Sequence, residues 1–275
     1  MNFMEKAKPI GVFDSGIGGL TVVRQIASTL PNESIVYFGD TARVPYGSKS
    51  NDTVIEYALQ DAHFLIEKNV KAIVVACNTV SAIALNVLKE KFTVPIIGMI
   101  TPGSQLALKH SQTKRIGVIG TRATISNHAY LNELKKHDSE VEVFEQACPL
   151  FVPLAEEGWT DHEATKLIAE EYLKELCDLD IDTLVLGCTH YPILSKIIQQ
   201  VIGDKVNLID SGVASAEIVR QEINRIGLET NSHALGYQDF YVSDIPTTFK
   251  KVAELFLGQS ILNVKKIDLE ELQKK

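Results

Sequence analysis

Short apolar runs, rich in β-branched residues and separated by amphipathic stretches, set the strongest limit on how this chain can fold. They read PIGVFD, SIVYFGD, AIVVAC, PIIGMI, RIGVIGT, VEVFEQ, TLVLGC, VNLID and FYVSD. A strand that is apolar at consecutive positions has both faces covered, which is the condition of a parallel strand between helices. The expected fold class is therefore α/β, with mainly parallel sheets flanked by helices. After Cys77 the positions Val80, Ile83, Ala84, Val87 and Leu88 keep helical spacing, so a helix follows that cysteine directly. After Cys188, Pro192 suits a first helical turn, and Ile193, Ile197, Ile198 and Val201 mark one helical face.

A faint repeat runs through this pattern. IGVFDSG at 10–16 resembles RIGVIGT at 115–121, and each is followed later by a strand ending in a cysteine, Cys77 or Cys188. Two similar α/β halves are expected, with a boundary near TPGSQLALKHSQTKR at 101–115, where Pro102 and Gly103 punctuate the pattern. The Lys- and Glu-rich end, KKIDLEELQKK, reads as a solvated tail.

The 275 residues are 45% hydrophobic, enough for a packed core without staples. A net charge of -8 argues against a general nucleic-acid or anionic-membrane surface, which needs clustered Lys and Arg. No apolar run approaches the ~18 residues of a membrane span, and the start lacks the apolar core of a signal peptide, so a cytoplasmic protein is expected. The four cysteines form no CxxC pair and are expected as thiols. Small-molecule chemistry is the default.

Ligands of open α/β sheets bind at the carboxyl ends of the strands, and both LVLGCTHYP (184–192) and IVVACNTVSA (73–82) place a cysteine there. A thiol before a helix N-terminus feels the positive end of the dipole, which favours the thiolate and lowers its pKa. Cys77 and Cys188 are thus the candidate reactive thiols. Cys148 and Cys177, outside such turns, read as small buried hydrophobes. FDSGIGGLTV (13–22) puts Asp14 and Ser15 at the end of the first strand, with glycines whose N–H groups can approach an anion. It is not the dinucleotide fingerprint, which needs glycine where Thr21 stands, and no phosphate-binding P-loop occurs. Asp14 can alternatively be a helix N-cap. In DTARVPYG (40–47), Tyr46 and nearby backbone can contact a ligand. His190, two residues after Cys188, can assist proton transfer. A zinc site fails on ligand count. In PLFVPLAEEGW (149–159), a strand or loop, one of Glu156 and Glu157 can reach the site.

Together DSGIGGLTV, RVPYG, ACNTVSA and GCTHYP resemble the signature of the aspartate/glutamate racemase family, over about residues 10 to 220 and in the family's order. The resemblance implies cofactor-independent inversion at the α-carbon of glutamate, supplying D-glutamate for peptidoglycan. It implies two pseudo-symmetric domains, 1–100 plus 210–275 and 101–209, with the active site between them, and a homodimer. It assigns Cys77 and Cys188 as acid and base that exchange roles with the enantiomer bound, with Asp14 near Cys77 and with His190 and Glu156 near Cys188. Ser15, Tyr46, Gly47, Asn78, Thr79, Thr189 and His190, with Asp14, would hold the substrate; no metal is implied. Racemisation fits the two thiols, because it needs a base on one face of the carbon and an acid on the other. The alternative is aspartate or another amino acid as substrate. A decarboxylase of related fold is expected to use one cysteine, and here there are two.

Overall fold

The computed structural model describes residues 3–261 and 263–273. Among the described residues, ten strands form two parallel sheets: β1 (Ile10–Asp14), β2 (Ile35–Gly39), β3 (Ala72–Val75), β4 (Ile96–Ile97), β5 (Arg115–Gly120), β6 (Glu142–Ala147), β7 (Thr183–Gly187), β8 (Asn207–Asp210), β9 (Gln238–Val242) and β10 (Val264–Lys266). The first sheet runs β10-β9-β2-β1-β3-β4 and the second β6-β5-β7-β8. Every pairing is parallel. In the central strands β1, β2, β3 and β7 every residue is buried, as two-sided helix cover demands.

The repeat has an exact counterpart in register. The order β2-β1-β3-β4 in one sheet matches β6-β5-β7-β8 in the other. Ile10 pairs with Ala72 in the first sheet and Ile116 with Thr183 in the second. Each cysteine lies five residues beyond its paired strand position, so Cys77 and Cys188 occupy equivalent places past the ends of the third strands. The chain passes from the first sheet to the second between β4 and β5, and returns between β8 and β9.

The helices Leu20–Thr29 and Ser211–Arg225 pack on each other, and the latter also packs on Ile100–His110. The largest core cluster holds Ile10, Leu20 and Val22 together with Ile119, Leu186 and Ile197, so one apolar core extends through both sheets.

Five expectations change. The helix after Cys77 kinks at Ala84 into Asn78–Ile83 and Leu85–Lys91, although the ladder continues through it: Ala84 N–H bonds Val80 and the Ala84 carbonyl accepts from Leu88 N–H. Pro102 and Gly103 do not break the chain but sit in the first turns of helix Ile100–His110, where proline costs no intrahelical bond. FVPLAE is a helix, Phe151–Glu156. The end of the chain is not a loose tail. β10 pairs with β9, and Leu272 is fully buried in the apolar cluster that holds Phe13, Phe38 and Phe64, its helix Leu269–Gln273 packed on helix Asn51–Glu67. Residues 274 and 275 of that segment lie outside the described residues. Of the two cysteines expected inside, Cys148 is buried and Cys177 is exposed, on the outer end of helix Glu163–Cys177. No described helix is long and apolar enough to cross a membrane.

Candidate active site

The carboxyl ends of β1 and β3 in one sheet and of β5 and β7 in the other converge on one cleft. It is lined by Ser15, Tyr46, Gly47, Cys77, Asn78, Thr79, Thr121, Val152, Cys188, Thr189 and His190, with Val44 and Pro45. Both cysteines thus border the same space. The free volume is only about 20 Å³, the room of about one water, so the cleft is too narrow to hold an amino acid as it stands.

Cys77 is the N-cap residue of helix Asn78–Ile83. Its Sγ–H donates to Ser15 Oγ at 3.4 Å. The dipole argument predicts a lowered pKa; instead burial, and then the negative charge of Asp14, push the thiol up to about 12. Bonds from Ser15 and from the Val80 N–H favour the thiolate but are outweighed. A short helix gives a small dipole, whereas complete burial removes water from the anion. Cys77 is a protonated thiol at neutral pH.

Cys188 sits in a different setting. No α-helix follows it directly: Tyr191–Leu194 forms a 3-10 turn with Pro192 in it, and only then does helix Ser195–Ile202 begin. Cys188 Sγ lies 3.8 Å from His190 Nδ1, and His190 Nε2 lies 3.0 Å from Glu156 Oε1. Burial opposes charge on the imidazole, but its bonds to Cys188 and Glu156 and their negative charges outweigh this and raise His190 to about 10. Glu156, rather than Glu157, makes the contact, because it ends the helix Phe151–Glu156 on the side that faces His190. The Phe256 ring packs on the imidazole in a T-shaped contact, with ring centroids 5.2 Å apart.

Asp14 links the two halves. Its carboxylate accepts from Gly16 N–H at 3.1 Å and from Thr189 Oγ1 at 3.4 Å. It is not a conventional N-cap: helix Leu20–Thr29 starts at Gly19 without a side-chain cap. Burial raises the Asp14 pKa, against the pull of His190 and the backbone N–H groups of Gly19 and Gly16. The turn after β1 packs so tightly on the second half that a Cβ at Gly18 would lie 2.3 Å from Thr189 Oγ1 and 2.4 Å from His190 Nδ1. Glycine is required there by space alone.

Tyr46 reaches the cleft, but its hydroxyl does not serve it. That hydroxyl donates to Asp40 and lies 3.1 Å from Asp61, in a buried cluster with Arg43, whose Nη2 is 3.2 Å from Asp61. This leaves the backbone of Tyr46 and Gly47 for the cleft. Gly47 rests against Thr121, where a Cβ would meet the threonine Cβ at 2.7 Å. Thr79, Thr121 and Thr124 close a ring of hydroxyls, 2.9, 3.2 and 3.0 Å apart. Asn78 donates to Ser211 and accepts from Tyr130. Sequence reasoning missed Thr121, Thr124, Tyr130 and Ser211. The repeat offered a signal for Thr121, since RIGVIGT aligns it with Ser15; nothing in the local sequence marks the others. Among the described residues no three His, Cys, Asp or Glu side chains gather as metal ligands.

The chain is similar to known proteins over most of its length. The family model for Asp/Glu/hydantoin racemase matches residues 10–219. Glutamate racemase from Geobacter metallireducens is 48% identical over 263 residues, covering 96% of this chain and 97% of that protein. Glutamate racemase from Chlorobaculum tepidum is 49% identical over 262 residues, covering 95% and 96%. The crystal structure of glutamate racemase from Francisella tularensis in complex with D-glutamate superposes with a TM-score of 0.91 at 42% identity, over 97% of this chain and 99% of that one.

Proposed function

Given that the chain belongs to the Asp/Glu/hydantoin racemase family, we propose that it interconverts L- and D-glutamate without a cofactor, using Cys77 and Cys188 as the two proton carriers. One observation carries the reading: two cysteines at register-equivalent strand ends border one narrow cleft, with Asp14 beside one and His190–Glu156 beside the other. The relatives of highest identity named above are glutamate racemases, which favours glutamate as substrate.

In one direction Cys188 acts as the thiolate, ion-paired with the His190 imidazolium. Its sulfur takes the α-proton, breaking the C–H bond and leaving the electron pair on the carbon. The Cys77 thiol then delivers its own proton to the opposite face. The product leaves with the configuration inverted, Cys188 protonated and Cys77 ionised, and proton exchange resets the pair. In the other direction the roles reverse. Asp14 accepts from the substrate ammonium and keeps Cys77 protonated at rest. The hydroxyls of Ser15, Thr79, Thr121 and Thr189, the Asn78 amide and the Tyr46–Gly47 backbone bind the carboxylates. Because the cleft is narrower than an amino acid, the walls part to admit substrate and close on it to exclude water from the carbanion-like transition state. The halves that move are 1–100 plus 210–275 and 101–209. The D-glutamate supplies peptidoglycan synthesis, and the enzyme works in the cytoplasm as a homodimer.

The test is incubation with L-glutamate in D₂O, with chelator and no added cofactor, following the α-proton by NMR and the optical rotation. Loss of the α-proton with decay of rotation towards zero is expected, and Cys77→Ser or Cys188→Ser should each abolish racemisation. A single mutant with near-normal turnover sinks the two-thiol mechanism; no change with either enantiomer sinks the assignment to glutamate.

A further inference from the structure

Tyr130 is fully buried at the start of helix Ala129–His137, far in sequence from either cysteine motif. Its ring is slotted between two glycines. A Cβ at Gly103 would meet the ring Cε1 and Oη at 3.1 Å, and one at Gly187 would meet Cε2 at 3.1 Å. Gly187 directly precedes Cys188. The hydroxyl at the far end of the ring donates to Asn78 Oδ1 at 2.7 Å, and Asn78 directly follows Cys77. One side chain therefore touches the chain neighbours of both thiols.

The Asn78 amide is held at both ends. Its Nδ2 donates to Ser211 Oγ at 3.3 Å, and that hydroxyl donates to the carbonyl of Leu186, two residues before Cys188, at 3.4 Å. With Tyr130 donating to the oxygen and the nitrogen donating to Ser211, the Ser211 proton stays free for the Leu186 carbonyl and every hydroxyl proton has an acceptor, which favours this orientation of the amide. A primary amide has two N–H donors, so one remains for the cleft that Asn78 lines. Burial raises the Tyr130 phenol further above its ordinary range, against a hydrogen bond with Ser211 and with the charges of Asp210 and then Cys188 adding to the rise, so the hydroxyl stays a donor throughout the working pH range.

We propose that Tyr130 is a positioning residue for the racemase: its ring, wedged between Gly103 and Gly187, carries a hydroxyl that fixes the Asn78 amide, so that the free N–H meets the substrate carboxylate on the Cys77 side. This rests on the reading of Cys77 and Cys188 as the reacting pair. Tyr130 touches no substrate; it acts through Asn78, and its place against Gly187 ties the amide to the position of the second thiol.

The test is a double-mutant cycle with Tyr130→Phe and Asn78→Ala, measuring racemisation in both directions and thermal unfolding. Tyr130→Phe keeps the ring and removes only the donor. The expected result is a roughly ten- to hundredfold loss in kcat/KM, the effect of leaving one buried acceptor unpaired, carried mainly by a higher KM. In the Asn78→Ala background the same change should cost less than about twofold, because the group it acts through is gone. Ser211→Ala, which frees the other end of the amide, should also raise KM. Equal losses in both backgrounds, or a Tyr130→Phe enzyme within twofold of the parent, overturn the proposal. A parent that does not racemise glutamate refutes the functional reading instead, so the two failures are distinguishable.

Discussion

Gly18→Ala is the sharpest perturbation that the site offers. It adds one methyl group at a backbone position of ordinary conformation, so any effect comes from space. That methyl would lie 2.3 Å from Thr189 Oγ1 and 2.4 Å from His190 Nδ1, where ordinary contacts begin at 3.4 Å. About 1 Å of displacement is therefore needed. The neighbours cannot swing aside. The Thr189 hydroxyl is tied to Asp14, its carbonyl accepts from Thr21 Oγ1 at 3.0 Å, and the imidazole is held between Cys188, Glu156 and Phe256. The turn after β1 must move away from the second half, taking Asp14 and Ser15 with it. Misplacing reacting groups by about 1 Å costs on the order of 10²-fold in rate, and overpacking costs about 1–3 kcal/mol in stability. The expected outcome is a fall in kcat of about a hundredfold with a protein that still unfolds cooperatively, read by the glutamate assay beside a denaturant melt. A Gly18→Ala enzyme within threefold of the parent kcat would refute the reading that space alone requires glycine at this contact.

Two further outcomes follow from the electrostatics. His190 is raised from 6.5 to about 10, so the stabilisation from its charged form is complete below pH 6.5 and is lost as pH rises through about 10. Activity that depends on the imidazolium should fall over the same alkaline limb, and Glu156→Gln should move that limb to lower pH; an unmoved limb removes Glu156 from this role. Arg43→Met leaves Asp40 and Asp61 buried without a cation, and burial with the Asp40 charge already raises Asp61 well above the carboxylate range. The expected loss is about 3–5 kcal/mol by urea unfolding, with weaker glutamate binding as the Pro45–Gly47 loop loosens; a loss below about 1 kcal/mol excludes the cluster as the support of that loop.

The local sequence determined the α/β class, because continuous apolar runs are the signature of strands covered on both faces, and all nine runs contain strands in the structure. It also determined where the thiols stand, since a strand that stops at a small residue before Cys77 or Cys188 must present that cysteine at the carboxyl edge of its sheet. The order and register of the sheets then turned the faint repeat into an equivalence between the two cysteines.

Tertiary structure decided the rest, for two physical reasons. Charge states depend on the sum of desolvation and all nearby charges. The helix-dipole rule pointed downwards for Cys77, while burial and Asp14, neither visible in the local pattern, drive it upwards. Partners also come from far along the chain: Tyr130 reaches Asn78 across 52 positions, and Asp14 reaches Thr189 across 175. Periodicity reports which face of an element is covered, not which residue covers it. The same limit hid the closing strand Val264–Lys266 and Leu272, whose polar surroundings read as a solvated end until an apolar surface elsewhere gave them a place to dock.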